Sequence, residues 1–423
     1  MPEYKRKKVK KKFLNKKKSR NTSENIIMTD KKTKKVGVVP EDDIKVVRGA
    51  KYKKRRRTKI FVSAISFIIL VCIILSAVLP GGLYENIINL TSIMGQGGYP
   101  TRISGGTVIN TVSNGLYYYV LTDTNITAYS SGGKIIFDEL HGFSNPVLSV
   151  SDTRVLVYDQ GGRSLYIYNL NGKIHTLQSE NDIITASISK NGDFAVATLS
   201  DSYASVVTAY NNRFKEIYTW NSAKEIINNV LINPAGNRIA VSTFDVVSGQ
   251  YVSKLSVLDF KSADPLHTLD LGDSPALSIT NSGGGISIVC NSKFKFLHWS
   301  KFNSNELSFS GEINYFRNSN NGILLTVNRA NDRSDNTIVL VSKKGEKVSE
   351  FKINNSITDI QYYKGRVYSV CDTAVNIYDK SGNILKKGDC NYGTQKFAVL
   401  GSNSIAAVSD LEIEKINIQE GES

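Results

Sequence analysis

Two repeating features of the sequence predict an all-β protein built from similar units. A short phrase, in which an apolar residue precedes a polar pair, a Gly-containing turn and a second apolar run, occurs four times as YSSGGKIIF, YNLNGKIHTL, VSKKGEKVSEF and YDKSGNILKK. An apolar strand type also recurs eight times, at spacings of 38, 39, 45, 47, 37, 44 and 38 residues from Leu116 to Ser404. A period of about 40–45 residues with four strands per unit is typical of a β-propeller.

The third unit shows how the phrase fits this architecture. Residues 183–189, 194–200, 205–211 and 214–220 are four short apolar or alternating runs separated by turn residues. They predict four antiparallel strands, and the repeated phrase then becomes the hairpin between the third and fourth strands of a blade. Its Gly falls where a tight turn requires positive φ. The flanking Tyr or Val is expected to pack against the next blade.

The ring is expected to close by pairing the two ends of the domain. We count eight units, with seven blades and one degenerate unit as the alternative. The last unit, residues 394–418, supplies three strands, and the isolated run YPTRIS at residues 99–104 can supply the missing outer strand. Such closure removes an exposed sheet edge. The propeller domain is therefore predicted to span residues 99–418, with residues 419–423 as a C-terminal tail.

The chain is strongly basic only before this domain. Residues 1–60 contain 24 Lys and Arg against 6 Asp and Glu, a net charge of +18, whereas the whole chain carries +15. The remaining residues therefore sum to −3, which argues against a nucleic-acid-binding propeller. Residues 1–59 have few aromatic residues and no sustained apolar periodicity, so a disordered cytoplasmic tail is predicted there.

A single apolar segment follows the tail. Residues 60–79 carry no charge, and a helix of that length spans about 30 Å, the hydrocarbon thickness of a bilayer. The segment is longer than a signal-peptide core and ends in a poor cleavage context, so residues 60–80 are predicted to be a permanent signal anchor. By the positive-inside rule the N-terminus is cytoplasmic, and a Gly-rich linker at 81–98 leads to an extracytoplasmic propeller on the plasma membrane.

The basic residues before the span carry that prediction of topology: Lys53, Lys54, Arg55, Arg56, Arg57 and Lys59. On one interpretation these residues only set the orientation of the membrane span. On a second interpretation they also contact anionic lipid headgroups. A nucleic-acid or protein partner for the tail is the third interpretation.

The layout resembles a known group of proteins. The motif GYPTRISGG at residues 98–106, followed by LYYYVLTDTNITAYSSGGKIIF, is similar to the start of the propeller in a family of uncharacterised bacterial single-pass proteins. The broader pattern resembles the quinoprotein-like and WD40-like propeller superfamily, although the chain has only two Trp, Trp220 and Trp299, and lacks a Trp-Asp pair. The resemblance covers residues 50–418 approximately and implies architecture without any catalytic residue.

The sequence contains few groups arranged for catalysis. The four His residues fall in different units without metal-ligand spacing: His141, His175, His267 and His298. No phosphate loop, dinucleotide fingerprint, nucleophile elbow or calcium loop is present. The sequence therefore predicts a protein that is not an enzyme and holds no cofactor or metal. Cys371 and Cys390 share the seventh unit, so a disulfide between them stays open.

Three extended connections between second and third strands are candidate partner-binding loops. They lie in the third, fourth and sixth units, and all such connections share one side of a propeller. On one interpretation their extra length is evolutionary drift without function. On the other, these loops bind a partner and the propeller is their rigid support. The residue types suited to contacting a partner are Tyr203, Gln250, Tyr251, Arg329 and Arg333.

The combination favours a membrane-anchored, non-catalytic scaffold or sensor at the cell envelope. Its expected partners are a protein or an envelope polymer at the propeller face and anionic lipid at the basic segment, with nucleic acid disfavoured. The first alternative is a quinone-dependent dehydrogenase or a hydrolase that uses the central channel, although two Trp cannot supply the docking repeats of the former. The second alternative is a protein whose tail contacts a cytoplasmic partner or nucleic acid.

Overall fold

The computed structural model describes residues 59–76, 82–319, 321–328 and 335–420. Helix α1 covers Lys59–Ser76 and has the length and apolar composition needed to cross a membrane. Helix α2 covers Gly82–Ser92. The five residues Lys53, Lys54, Arg55, Arg56 and Arg57 lie outside the described ranges, and Lys59 is the first residue of α1.

The rest of the described chain is almost entirely β-structure. In chain order the strands are β1 (Thr101–Arg102), β2 (Val108–Ser113), β3 (Tyr117–Thr122), β4 (Asn125–Ser130), β5 (Ile135–Leu140), β6 (Pro146–Val150), β7 (Val155–Asp159), β8 (Ser164–Asn169), β9 (Gly172–Gln178), β10 (Ile183–Ile188), β11 (Phe194–Thr198), β12 (Ser205–Tyr210), β13 (Glu216–Ser222), β14 (Ile226–Ile232), β15 (Arg238–Val247), β16 (Gln250–Asp259), β17 (His267–Gly272), β18 (Ser278–Ser282), β19 (Gly285–Val289), β20 (Lys293–His298), β21 (Ser304–Ser308), β22 (Glu312–Ser319), β23 (Gly322–Asn328), β24 (Asn336–Val341), β25 (Lys347–Ile353), β26 (Asp359–Tyr363), β27 (Arg366–Cys371), β28 (Ala374–Tyr378), β29 (Ile384–Asp389), β30 (Lys396–Gly401), β31 (Ser404–Val408), β32 (Glu412–Asn417) and β33 (Gln419–Glu420).

These strands form eight antiparallel blades in a ring, which confirms the eight-bladed β-propeller over the seven-bladed alternative. Seven blades take four consecutive strands each, from β2–β5 to β26–β29. The eighth blade contains β30, β31 and β32, and β1 is its outer strand, with Thr101 opposite Ile413 and Arg102 opposite Glu412. The predicted closure by the run at residues 99–104 is therefore confirmed. Strand β33 adds a fifth strand to the seventh blade, where Lys387 lies opposite Gln419.

The hydrophobic core consists of eight apolar layers, one between each pair of neighbouring blades. The Tyr that opens the repeated phrase belongs to these layers, but it packs on the preceding blade and not on the next one as the sequence suggested. Tyr168 stacks on Phe137 of the first blade at 5.7 Å, and Tyr378 lies 5.8 Å from Phe351 of the sixth blade. The outer strand of the preceding blade supplies these rings, so the aromatic side chains fill the wedge between blades.

The glycine of the repeated phrase serves both the turn and this packing. Gly345 and Gly382 have φ of 81° and 87°, values that favour glycine because an L side chain is strained there. A Cβ at Gly345 would lie 2.3 Å from Phe296, and one at Gly382 would lie 2.6 Å from Phe351. The predicted hairpin between third and fourth strands is confirmed, and its Gly also lets the turn approach an aromatic residue of the preceding blade.

Antiparallel blades place alternate connections on opposite sides of the ring. One side, here named the helix face, carries the turns between first and second and between third and fourth strands. The other side, the hairpin face, carries the turns between second and third strands and the connections from blade to blade. The extended connections of the third and fourth blades therefore belong to the hairpin face, and residues 329–334 of the third one, in the sixth blade, lie outside the described residues.

Helix α2 packs on the helix face through polar side chains. Glu85 forms a buried ion pair with Arg154 in the first turn of the second blade, and Glu85 also accepts a hydrogen bond of 3.1 Å from Thr153 Oγ1. Arg154 donates in addition to the carbonyl oxygen of Asn212 at 2.7 Å, in the third blade. The buried Asn89 faces the same turn.

Further contacts continue along the segment that the sequence suggested was a Gly-rich linker. Lys134 Nζ donates to the carbonyl oxygens of Ser92 and Met94, at 3.0 and 2.6 Å. Residues 82–92 of that segment thus form a helix that contacts the first and second blades.

Candidate functional site

Among the described residues, the hairpin β15–β16 of the fourth blade projects furthest beyond its neighbouring strands on the hairpin face. Its two strands are ten residues long, whereas the second and third strands of the other blades have five to seven. Pairing with β14 ends at Phe244 and pairing with β17 ends at Ser253. Beyond these residues the hairpin continues alone to a two-residue turn at Ser248 and Gly249, both with positive φ, as a tight hairpin turn requires.

The hairpin tip, defined as residues 245–252, is apolar and exposed. The exposed fractions of Val246, Val247, Tyr251 and Val252 are 55, 53, 58 and 46%. Val246 lies opposite Tyr251 across the two strands, so an aromatic and a β-branched side chain form a cross-strand pair. By strand alternation Val247 and Val252 lie on the other side of the ribbon, so each side presents two exposed apolar side chains, as is typical of a surface that a partner covers.

Polar contacts at the base fix the direction of the hairpin. Lys254 forms an ion pair with Glu225, and Glu225 also accepts a hydrogen bond of 2.7 Å from Thr243 Oγ1. These three residues lie where β15 and β16 leave the rest of the blade. The tip is therefore carried by a stiff ribbon.

The other predicted binding residues are partly brought together. Tyr203 is 44% exposed and lies on the hairpin face of the third blade, next to the blade that carries Gln250 and Tyr251. Its loop is held by Ser200, whose Oγ accepts hydrogen bonds from the backbone N–H groups of residues 202 and 203. Arg329 and Arg333 lie outside the described residues.

The strands that line the central channel contain a charged cluster that sequence reasoning missed. Asp359 is fully buried at the start of β26 and accepts hydrogen bonds from Tyr315 Oη at 2.7 Å and from the backbone N–H of Phe397 at 3.1 Å. It also accepts from the N–H of Ile360 at 3.0 Å. Arg317 lies 3.5 Å from the same carboxylate.

Arg317 connects distant parts of the ring. Its guanidinium donates to Tyr315 Oη at 3.2 Å and to the carbonyl oxygen of Thr111 in the first blade. Because the seventh and eighth blades separate the sixth from the first, this side chain crosses the channel and obstructs it. Burial opposes the charge of Arg317, but Tyr315 and Asp359 beside it raise its pKa. Burial, followed by the charge of Asp359, raises the pKa of Tyr315 well above 10.0. The cluster is thus a fixed ionic bridge.

A polar cleft of about 520 Å³ opens between the sixth and seventh blades next to this bridge. Hydroxyl and amide side chains dominate its lining, including Asn314, Thr326, Asn336, Ser356 and Thr358. Thr326 Oγ1 is buried and has no hydrogen-bond partner among the described residues. This composition suits hydrogen bonding to an uncharged polar group.

The histidines and cysteines do not converge on a site. Among the described residues no three His, Cys, Asp or Glu side chains form a group that could hold a metal ion. The thiols of Cys290, Cys371 and Cys390 are buried and free, and burial raises the pKa of each. Cys371 and Cys390 are therefore not joined in this structure.

The burial of His141 can be tested through the pH dependence of the protein's stability. Its Nε2 contacts the carbonyl oxygen of Thr122 at 3.1 Å, and its Nδ1 accepts from the N–H of Phe143 at 3.0 Å. Burial lowers the pKa of His141 below the ordinary 6.5. Between the pKa of His141 in the native state and 6.5, the unfolded chain binds a proton that the native state does not. The contribution of neutral His141 to the free energy of unfolding is therefore fully present above pH 6.5 and decreases as the pH falls below that value.

The expected result is a thermal midpoint that decreases less on acidification from about pH 7.5 to about pH 5.5 in His141→Asn than in the native protein. The corresponding pH slopes of the free energy of unfolding should differ by at most about 1.4 kcal/mol per pH unit. The Asn side chain still offers Phe143 an acceptor. An unchanged pH slope in circular dichroism melts of the variant would contradict the assignment.

The ring of eight four-stranded blades defines the chain as a β-propeller, a fold consistent with a binding scaffold. In sequence the chain belongs to the Family of unknown function (DUF5711), whose model matches residues 98–418. No curated protein matches the chain in sequence.

Solved structures share the fold at low sequence identity. The computationally designed Ika8 protein has a TM-score of 0.54 at 12% identity and covers 77% of this chain and 100% of its own. The C-terminal WD40 domain of Sif2 has a TM-score of 0.52 at 11% identity, with coverage of 78 and 100%. The Dos1 propeller has a TM-score of 0.53 at 10% identity, with coverage of 77 and 96%. These similarities show the fold alone.

Proposed function

We propose that this protein is a membrane-anchored, non-catalytic scaffold whose propeller lies outside the cytoplasm and binds a protein partner through the hairpin tip. The observation that carries the proposal is the exposed apolar surface of Val246, Val247, Tyr251 and Val252 on a strand pair that projects beyond its blade. Tyr is enriched among the few residues that dominate binding energy at protein interfaces, and exposed apolar patches mark interaction sites.

The free backbone at the tip favours a protein over a polysaccharide. Beyond Phe244 and Ser253 the outer edges of the two strands pair with no neighbouring strand of the fourth blade. Their N–H and C=O groups can therefore add a strand from another chain, a mode in which backbone hydrogen bonds give affinity and alternate side chains give specificity. The cross-strand side chains of Val246 and Tyr251 would then contact the added strand.

The ionic bridge in the channel supports a role without chemistry. A carboxylate that acts as general acid or base must lie within hydrogen-bond reach of a substrate. Asp359 is instead surrounded by donors of the fold itself, and Arg317 obstructs the channel in which a substrate would lie.

Location is proposed from charge and from helix α1. The apolar helix Lys59–Ser76 follows a basic run that would stay in the cytoplasm. A Leu411→Cys variant, at an 82% exposed position outside the hairpin tip, in a Cys72→Ala background should react on intact cells with a membrane-impermeant maleimide. Reaction only after lysis would contradict the extracytoplasmic location.

Binding is tested with a photo-crosslinking amino acid at position 251 and, as control, at the exposed Ser381 on the helix face of the seventh blade. We expect a discrete protein adduct from position 251 and none of the same mass from position 381. A crosslinker at position 250 in the double variant Val247→Thr, Tyr251→Thr, which keeps strand propensity but removes apolar surface, should lose that adduct. Equal adducts from positions 251 and 381, or retention in the double variant, would exclude the hairpin tip as the interface.

A further inference from the structure

Helix α2 is amphipathic in the opposite sense to an ordinary surface helix, which buries its apolar side. Its polar residues Glu85 and Asn89 are buried against the helix face of the propeller. Three of its apolar residues lie on the exposed side: the exposed fractions of Tyr84, Ile87 and Leu90 are 76, 51 and 53%, whereas Leu83 and Ile88 are half-buried. Met94, just after the helix, is 60% exposed and extends the same row.

The polar side accounts for the docking of the helix but leaves this apolar row uncovered. Residues 82–94 contain one charged side chain, Glu85, and Arg154 neutralises it. The outward row is therefore apolar and uncharged. A charged side chain would oppose contact with the interior of a bilayer, and the exposed side of α2 has no charged residue.

The length of the connecting chain indicates what covers the row. Helix α1 ends at Ser76 and α2 begins at Gly82, so five residues lie between two helices. A fully extended chain of that length reaches about 20 Å, less than the hydrocarbon thickness of a bilayer. If α1 spans the membrane, as the proposed function requires, α2 must therefore start close to the membrane surface.

We propose that α2 is an interfacial helix whose row of Tyr84, Ile87, Leu90 and Met94 lies in the headgroup–acyl boundary of the bilayer that α1 anchors. This position suits Tyr, whose ring is apolar and whose hydroxyl is polar. The ion pair of Glu85 with Arg154 then transmits the orientation of the helix to the propeller. The helix face is held toward the membrane, and the hairpin face points away from it, toward a partner.

Depth is measured by fluorescence of the full-length protein in liposomes of phosphatidylcholine with a quarter of phosphatidylglycerol. In a Cys72→Ala background the three remaining cysteines are buried, so variants with one added exposed cysteine, Ile87→Cys and Leu90→Cys, carry an environment-sensitive dye, and Val247→Cys at the hairpin tip is the matched control. Lipids spin-labelled near the headgroup should decrease emission about twofold or more at positions 87 and 90, since interfacial helices lie about 5–10 Å deep. Position 247 should keep its emission.

Orientation is measured by energy transfer from the dye to an acceptor on lipid headgroups. Transfer should be greater from Ser381→Cys on the helix face than from Val247→Cys on the hairpin face. Equal transfer from both positions, or unquenched dyes at positions 87 and 90 in protein that still floats with the liposomes, would overturn the interfacial helix.

Two further outcomes separate the possible failures. Emission at position 87 that depends on protein density and not on spin-labelled lipid would assign the row to a second copy of the chain and overturn the proposal. Failure of the full-length protein to float with liposomes would instead refute membrane anchoring, and with it the proposed function itself.

Discussion

Replacement of Asp359 by Asn is expected to destabilise the propeller by about 3–5 kcal/mol, because it leaves the buried Arg317 without a counter-charge. The change keeps the shape of the side chain but presents an amide where Tyr315 Oη and two backbone N–H groups donate. An uncompensated buried charge costs more than the loss of any one of these hydrogen bonds. The measurement is the denaturation midpoint of the full-length protein in detergent micelles, followed by near-ultraviolet circular dichroism.

A surface pair supplies the control for this prediction. Arg163 and Asp182 form an ion pair of 2.9 Å whose side chains are 56 and 43% exposed. Exposed pairs contribute at most about 1 kcal/mol, so Asp182→Asn should leave the midpoint almost unchanged. The double variant Asp359→Asn, Arg317→Met should be more stable than Asp359→Asn alone. Equal midpoints for Asp359→Asn and Asp182→Asn would show that the bridge does not stabilise the ring.

Replacement of Glu85 by Gln should release helix α2 while leaving the propeller folded. The helix has 11 residues, and helices of that length are marginal in water without tertiary contacts. The buried pair with Arg154 is therefore expected to hold it, and loss of one partner should weaken docking by about 3 kcal/mol or more.

Hydrogen exchange of the α2 amides measures this release. Because about 1.4 kcal/mol corresponds to a factor of ten, exchange should accelerate about 100-fold in Glu85→Gln. Exchange in the blade strands should change little. Ser92→Ala, which removes an exposed hydrogen bond to Asn171, is the matched variant and should change exchange only slightly. Unchanged protection in Glu85→Gln would mean that other contacts hold α2.

Sequence reasoning recovered what depends on local pattern. The strand period gave eight blades, and the unpaired run before the first unit identified the outer strand of the eighth. The length of the connection after β15 identified the hairpin face and placed Gln250 and Tyr251 on a hairpin whose two strands are ten residues long. Each of these inferences uses residues that are close in the chain or that repeat along it.

The missed features depend on pairs that are distant in the chain. Glu85 and Arg154 are separated by 69 residues, and Arg317 and Thr111 by 206. A lone acid in an apolar segment does not reveal its partner, because only the closed ring brings the two together. The helical row of apolar residues from Tyr84 to Met94 was a usable signal for α2, but the flanking glycines suggested a linker.

The closure of the eighth blade by β1 has a consequence for biogenesis. The chain is made from its N-terminus, so β1 has no pairing partner while about 310 residues are synthesised. It can pair only when β32 has been made. Throughout that interval the first and the most recently made blade each present an unpaired flank. We expect the growing chain to depend on holding chaperones at its site of synthesis, and a ribosome that stalls before residue 412 to yield an open arc prone to domain exchange.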